Sequence, residues 1–384
     1  MGALTSLGVY IHIPVCSTLC GYCDFYSIKE SDLTQNFWDT YYNRLIEEFK
    51  FKSGYLQNNY ALNSIYFGGG TPSLASASFI EKLIHYIANN LPQTAKKIEI
   101  SIEANPETIS KQYVNDIHSS GINRISMGVQ SLNDRLLQIL GRISNKDIIV
   151  KAMDVLANGP IANWSADLIY GIPGQKEQDI LESLKYIIDH QAKHISAYAL
   201  TMENNVLHDP ANGEQGSDKN ISESRQYKHQ KMIWEYLPAN GFFQYEISNF
   251  AREGFSCLHN RAVWKYRPYL SLGTSGHSFL NHLRFRTVSN IKKYLSEPIE
   301  NSVAIEKAMT IPDLFITALR LKSHQGNALF RKYLSYREYR LWQNMLNEFS
   351  NKKWIVFNKS GFEITTEGLS FSNSMLEFVY EHMT

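Results

Sequence analysis

Three of the four cysteines in this 384-residue chain fall in one short stretch. Cys16, Cys20 and Cys23 are spaced C-x3-C-x2-C inside YIHIPVCSTLCGYCDFY, residues 10–26. Thiolates are strong ligands for iron–sulfur clusters, and a cubane normally takes four. Three close together, with no fourth nearby, point to a [4Fe-4S] cluster with one iron left open. An open iron can take a small molecule through an amine and a carboxylate. The competing reading is a zinc site completed by His12 or a more distant residue. Zinc sites usually show two ligand pairs or a Cys/His set, and the chain has no second pair.

The apolar run at 9–15 reads as a buried strand leading straight into the cysteines. Further strands are expected at 64–67, 97–104, 124–129, 164–170 and 194–200, and helices at 32–51, 79–91, 106–119, 134–140, 146–158 and 178–191. Within 32–51, Phe37, Tyr41, Leu45 and Phe49 recur at helical spacing and read as a core-facing stripe. Strands alternating with helices of this length imply a parallel sheet with right-handed crossovers. Six units fall short of the eight of a closed (β/α)8 barrel.

In such sheets chemistry gathers at the C-terminal edge, where the βα loops converge. That edge collects the cysteines after the first strand and Gly68-Gly69-Gly70-Thr71-Pro72 after the second. Glu103 and Asn105 close the third strand, and Gln130 the fourth. Asp167 lies within the fifth, and Tyr198 and Thr201 end the sixth. The glycines let backbone approach a ligand closely, and exposed N–H groups there could bind a carboxylate. A tight strand-to-helix turn is the plainer reading of the same residues. The dinucleotide pattern G-x-G-x-x-G is absent.

The cysteine spacing, preceded by Tyr-x-His-x-Pro and followed by Asp-Phe, resembles the radical S-adenosylmethionine (SAM) superfamily. Within it the chain is similar to the branch that holds oxygen-independent coproporphyrinogen III oxidase and the haem chaperone HemW. The likeness runs from about residue 9 to residue 290 and more weakly to the end. It implies an α/β fold: an open (β/α)6 partial TIM-type barrel with a smaller helical, winged-helix-like C-terminal domain. It also implies that SAM chelates the open iron and that the reduced cluster cleaves it to a 5′-deoxyadenosyl radical. Gly69, Gly70 and Thr71 match the segment that holds the amino end of SAM. Glu103, Gln130, Arg142 and Asp167 match the motifs E-x-N-P, G-V-Q-S, L-G-R and D-L-I-Y-G-I-P, and Tyr10 and Tyr22 match positions lining the cofactor. Arg142 follows Gly141 outside a strand, so a surface position is the plain alternative. Ser144 stands where the family often has His, which weakens proton-transfer chemistry there.

A second informative place is Cys257-Leu258-His259-Asn260, followed by Trp264. By itself it suits a packing loop with a buried cysteine and a hydrogen-bonded histidine. It also resembles the chaperone's H-N-x-x-Y-W motif, here HNRAVW with Val263 in place of Tyr. The resemblance makes His259 the candidate haem ligand, with Cys257 or His277 as possible companions. Arg284 and Arg286 could pair with haem propionates or form an ordinary exposed strand face. A polar, aperiodic loop is expected at 207–224, a helix at 225–237, and one or two strands at 241–250. Helices at 312–321 and 336–350, a hairpin at 354–357 and 361–365, and a helix from 366 suggest a cap over the barrel mouth. Domain boundaries are expected at 1–237 for the barrel, 238–300 for the connecting segment and 301–384 for the cap.

Lys plus Arg total 38 against 37 Asp plus Glu, a net charge of +1, so bulk charge implies no nucleic-acid partner. No window is long and apolar enough to span a membrane. The first eight residues carry neither a basic region nor an apolar signal core. Few cysteines, mostly claimed by one motif, suit a reducing compartment, so a cytoplasmic location is expected. Two functions follow from the resemblance. The first is a haem chaperone of porphyrin metabolism, which is expected to deliver haem to membrane acceptors such as respiratory cytochromes, with a homodimer as one expected assembly. The second is the oxidase, which decarboxylates two propionates. The oxidase branch carries a further cysteine two residues after the last ligand, where this chain has Phe25. It also carries a long N-terminal extension, and HN-x-x-x-W belongs to the chaperone branch. A third class, a radical SAM enzyme modifying RNA or peptide, would need a basic groove or substrate domain that the sequence does not display.

Overall fold

The computed structural model describes residues 5–56, 60–91, 94–201, 223–307, 311–324, 334–359 and 361–383. Six strands run parallel in chain order: β1 Thr5–Ile13, β2 Tyr60–Gly69, β3 Thr94–Ala104, β4 Arg124–Gln130, β5 Trp164–Tyr170 and β6 His194–Ala199. Side chains on a strand alternate between faces, and these strands use both. On one face Val9, Ile11, Ile65, Phe67, Ile102, Met127, Leu168 and Ile195 are buried in the main apolar core. Full burial of each such side chain contributes about 1.5–3 kcal/mol. The helices cover this face, including Phe37–Ser53, whose Phe37, Tyr41, Leu45 and Phe49 form the expected core stripe.

The other face is polar. Register sets Ser64 beside Glu99, Tyr66 beside Ser101, Ser101 beside Arg124, Ser126 beside Ser165, and Asp167 beside Ser196. Strands two apart sense one another across this face: Asp167 on β5 pushes up the pKa of Glu103 on β3. The sheet therefore curves around a polar lumen.

Local chemistry moved several expected boundaries. β1 stops at Ile13, because Pro14 has no N–H for a ladder. Val15–Cys16 pairs instead with Ile28–Lys29. The helix expected over 106–119 divides in two. Pro106–Thr108 forms a 3-10 turn, then the Ser110 hydroxyl accepts the Tyr113 N–H and starts Lys111–Ser119. Ser76 likewise caps Ala77–Asn89 through the Phe79 N–H.

The sheet does not end at the six strands. Tyr269–Leu272 pairs in parallel with β1, and His277–Leu280, Leu283–Thr287 and Val303–Lys307 follow antiparallel on that side. On the other side Asn249–Ala251 runs antiparallel to β6, and Phe243–Gln244 pairs with it. A buried Glu48–Lys52 pair at 2.6 Å, both side chains fully enclosed, ties helix Phe37–Ser53 to the first extension. Lys52 Nζ also donates to Ser271 O and Thr287 Oγ1, and Glu48 accepts from Gly273 N and Tyr294 OH.

The C-terminal region contains Ile311–Ala318, Tyr336–Asn351, Thr366–Ser370 and Ser372–Met383. A small sheet joins Ser323–His324, Gly361–Ile364 and Ile355–Asn358, so the expected hairpin gains a third strand. Among the described residues, backbone bonds that tie this region to the rest of the chain include Ile247 N to Arg320 O and Lys322 N to Tyr245 O, and Arg320 sits over Trp264. The turn that carries Tyr245 and Ile247 lies beside Ser196 and Ala197, midway along β6. Of the polar loop expected at 207–224, residues 207–222 lie outside the described residues; helix Glu223–Ala239 follows.

Candidate cluster and cofactor site

Exposure falls along the lumen. Glu103, Asn105, Gln130, Arg142 and Asp167, toward the C-terminal rim, are partly accessible. Ser64, Glu99, Arg124, Ser165, His194 and His259, toward the other end, are buried. The lumen is thus a cup, open where β1 delivers the cysteines and closed below.

Cys16, Cys20 and Cys23 are partly exposed on one loop, and Cys23 N bonds Cys20 O at 3.3 Å. The glycine run packs directly under this loop. Gly70 N donates to Ile13 O at 2.8 Å and Thr71 N to Val15 O at 2.7 Å. A Cβ on Gly70 would lie 2.7 Å from Val15 O and 2.9 Å from Cys16 Sγ. Gly69 has φ +112°, and a Cβ there would meet the His12 ring at 2.6 Å. The glycines thus serve close approach of backbone to the cysteine loop. The N–H groups of Gly69, Gly70 and Thr71 are already bonded, so they do not form an exposed carboxylate nest. What remains open to a ligand is the edge of the segment beside Glu103.

His12 is 3% exposed. Its Nε2 donates to Tyr26 O at 2.9 Å, and Tyr10 OH lies 3.3 Å from Nδ1. Both ring nitrogens are engaged, which removes His12 as a fourth zinc ligand. The donor set that remains is three soft thiolates on one loop with a glycine cradle beneath. That fits a cubane with one iron free of protein ligands, and Cys16, Cys20 and Cys23 are the residues that would hold it.

The polar candidates converge on this loop. Arg142 is not a surface residue: Nη1 lies 3.8 Å from Cys20 Sγ, and Nη2 donates to Asn105 Oδ1 at 2.8 Å and to Gly128 O at 3.3 Å. Asn105 Nδ2 in turn donates to Thr71 Oγ1 at 3.0 Å. Glu103 accepts from Tyr66 OH at 2.9 Å and from Gly69 N at 3.1 Å. Enclosure, then the Asp167 carboxylate, raise its pKa to about 7. Asp167 accepts from Ser126 Oγ at 3.1 Å, and its pKa is also raised by burial. Two carboxyls whose pKa values are raised this way favour a cationic ligand. Gln130 ends β4 at φ 62°, which turns its side chain back against Gly128. Tyr22 packs on the cluster of Leu136, Ile139, Leu140 and Ile172, and burial raises its pKa, partly offset by Arg142. Ser144 bonds the Glu107 carboxylate and is 3% exposed, a packing role. Tyr198, 43% exposed near the end of β6, and Thr201 just beyond it stand at the open end.

No motif marks Tyr66. Counting by twos from Ser64 along β2 places it on the polar face, so the signal was present. Arg124 and Glu99 form the floor, and no motif marks them either.

The HN segment is a helix, Leu258–Trp264, not a loop. Glu99 accepts the N–H groups of Leu258 at 3.0 Å and of His259 at 3.2 Å, and takes the Cys257 thiol at 3.4 Å. His259 is 5% exposed, its Nδ1 is 3.1 Å from Ser64 Oγ, and its ring is 5.2 Å from that of Tyr66. Burial and the Arg124 charge lower its pKa to about 4. Cys257 is fully buried, and burial pushes its thiol up to about 12. His259 and Cys257 are therefore buried at the closed end of the cup. His277 is exposed, paired across strands with Arg286, which lies 3.7 Å from Glu306. His277, Arg284 and Arg286 lie on the two antiparallel strands 277–280 and 283–287, whereas His259 lies on helix Leu258–Trp264.

An open parallel barrel with a three-cysteine loop over a glycine run and a carboxylate-lined cup is the architecture of a radical SAM protein. The Radical SAM superfamily model matches residues 10–187. Over nearly the whole length the chain is similar to proteins named heme chaperone HemW. It is 32% identical to that of Haemophilus influenzae, covering 98% of each chain, and 31% identical to that of Buchnera aphidicola from Acyrthosiphon pisum, covering 98% of this chain and 99% of the relative. The Escherichia coli HemW is 29% identical, with 98% and 99% covered. Among solved structures, coproporphyrinogen III oxidase (HemN) of Escherichia coli superposes with a TM-score of 0.79 at 20% identity, covering 97% of this chain and 90% of that one. At that identity the likeness speaks for the fold. The chain belongs to the HemW family of the radical SAM superfamily.

Proposed function

We propose that the chain is a haem chaperone, which binds haem and a SAM-ligated [4Fe-4S] cluster and passes the haem to acceptor proteins. The observation that carries this reading is full-length similarity to several HemW relatives. Phe25, 65% exposed on the cysteine loop, also stands where the oxidase branch would carry its extra cysteine. Cys16, Cys20 and Cys23 hold the cluster, and Arg142 places a positive charge beside Cys20. Glu103, with Asp167 behind it, faces the SAM ammonium, while Tyr10, Tyr22, Gly69, Gly70, Thr71 and Gln130 shape the same cup. Bound there, SAM completes the coordination of the open iron. The acceptors are respiratory cytochromes at the membrane, and the chaperone acts from the cytoplasm as a monomer or homodimer. Among the described residues no helix is long and apolar enough to cross a membrane.

The test uses one anaerobic preparation in two assays. Haem-loaded protein should pass haem to an apo-cytochrome, and the same protein with coproporphyrinogen III, SAM and a reductant should release no CO2. Release of CO2 without haem retention would replace this reading with the oxidase.

A further inference from the structure

At the closed end of the barrel the outer side of helix Leu258–Trp264 faces the C-terminal domain across a cleft of about 540 Å3. That volume lies within the range of small-molecule sites. Arg261, Lys265, Arg267 and Lys322 line it, against one carboxylate, Glu363. Four cations around one cleft are a local concentration that the net charge of +1 does not predict. Glu363 lies 3.9 Å from Lys322. Among the described residues no carboxylate pairs with Arg261, Lys265 or Arg267; Arg261 Nη1 donates to Ser256 Oγ at 2.9 Å. Burial, then Arg261 and Arg267, hold Lys265 below the usual lysine range. Arg261, Lys265 and Arg267 are thus like charges gathered at one cleft, and among the described residues only Lys322 has a carboxylate beside it. The remaining wall mixes apolar Pro238, Phe243 and Leu321 with Gln244, Tyr245 and Ser323, and Phe243 is 62% exposed.

A ligand for this cleft needs at least two negative charges at one edge and a broad apolar body. We propose that the cleft takes the two propionates of an iron porphyrin, with Arg261, Lys265, Arg267 and Lys322 as the carboxylate-binding cations and Phe243 as the apolar wall. The inference rests on the haem-chaperone reading and deepens it. It moves the docking place from the buried inner side of the HN helix to its outer side, where Arg261 and Lys265 are reachable. Guanidinium and carboxylate pair through charge-assisted hydrogen bonds. An open cleft at a domain junction also suits a ligand that must be handed on.

The test compares haem with haem dimethyl ester, which lacks the two charges. Each is titrated into anaerobically reconstituted wild type, the triple variant Arg261→Gln/Lys265→Gln/Arg267→Gln, and Phe243→Ser. Wild type should bind haem about tenfold or more tightly than the ester. The triple variant should lose that preference while binding the ester as wild type does. Phe243→Ser should weaken both ligands alike. Equal iron and sulfide content and an unchanged melting temperature confirm that the variants are folded. Wild type that binds haem, with a triple variant that keeps the full preference over the ester, would overturn the cleft assignment alone. Wild type that binds no haem would overturn the chaperone reading and the cleft with it.

Discussion

Glu103→Gln separates the cofactor role of the cup from its cost to the fold. In the folded chain the Glu103 carboxyl has a pKa of about 7, against an ordinary 4.5. The folded state therefore binds more protons than the unfolded one between those values, and stability falls as pH rises from 4.5 to 7. The gap of about 2.5 pH units sets a ceiling of about 3 kcal/mol. Residual access of the carboxyl to the lumen lowers this to about 1–2 kcal/mol. Glutamine keeps the shape and stays neutral, so the variant, free of SAM, should gain that amount at pH 8 and little at pH 4.5. Cofactor binding should move the other way. An ammonium beside Glu103 needs the carboxylate, whose ionised fraction drops about tenfold between pH 8 and pH 6 for a pKa near 7. Wild-type SAM affinity should fall about tenfold over that interval, and that of Glu103→Gln should be weak and flat. Anaerobic calorimetry of cluster-loaded protein, in two buffers of different ionisation enthalpy, measures both the affinity and the protons released. Equal SAM affinity of variant and wild type at pH 8, or a flat wild-type profile, would refute the assignment.

Three further outcomes follow from particular contacts. Gly70→Ala drives a Cβ to within 3 Å of Val15 O, Ile13 O and Cys16 Sγ; it should cost about 1–3 kcal/mol and sharply lower iron and sulfide content after reconstitution. His259 is held neutral, with a pKa of about 4 against 6.5, so stability should be lost as pH falls from 6.5 to 4, by up to about 3 kcal/mol; His259→Asn should flatten that limb in urea unfolding, and an unchanged profile would show that the ring is not buried. Glu48→Ala leaves Lys52 enclosed without its partner and should cost about 3–5 kcal/mol, whereas Glu48→Gln/Lys52→Met should recover much of it; equal stability of all three proteins in denaturant titrations would show that the pair is not buried.

The strand–helix alternation made the barrel legible, because apolar periodicity reports the face each strand buries. Val9, Ile11, Ile65 and Phe67 behave as their pattern requires. The rim residues were legible for a related reason: topology alone sends every βα loop to one end. The floor was not. Arg124 and His194 start their strands and Glu99 lies midway along β3, far apart in sequence, and only curvature of the sheet brings them together. The HN segment misled because its residue types suit iron. Whether His259 faces a ligand or a core depends on the Glu99 carboxylate, 160 positions upstream, which caps its helix. The C-terminal domain kept its expected elements, while its anchoring rests on long-range contacts such as Arg320 over Trp264, which no local pattern announces.

Metal analysis tests the account at its root. Protein reconstituted without oxygen should contain about four irons and four sulfides per chain, and the electron paramagnetic resonance signal of the reduced cluster should change when SAM is added. Zinc in place of iron, absence of sulfide, or a signal indifferent to SAM would contradict it.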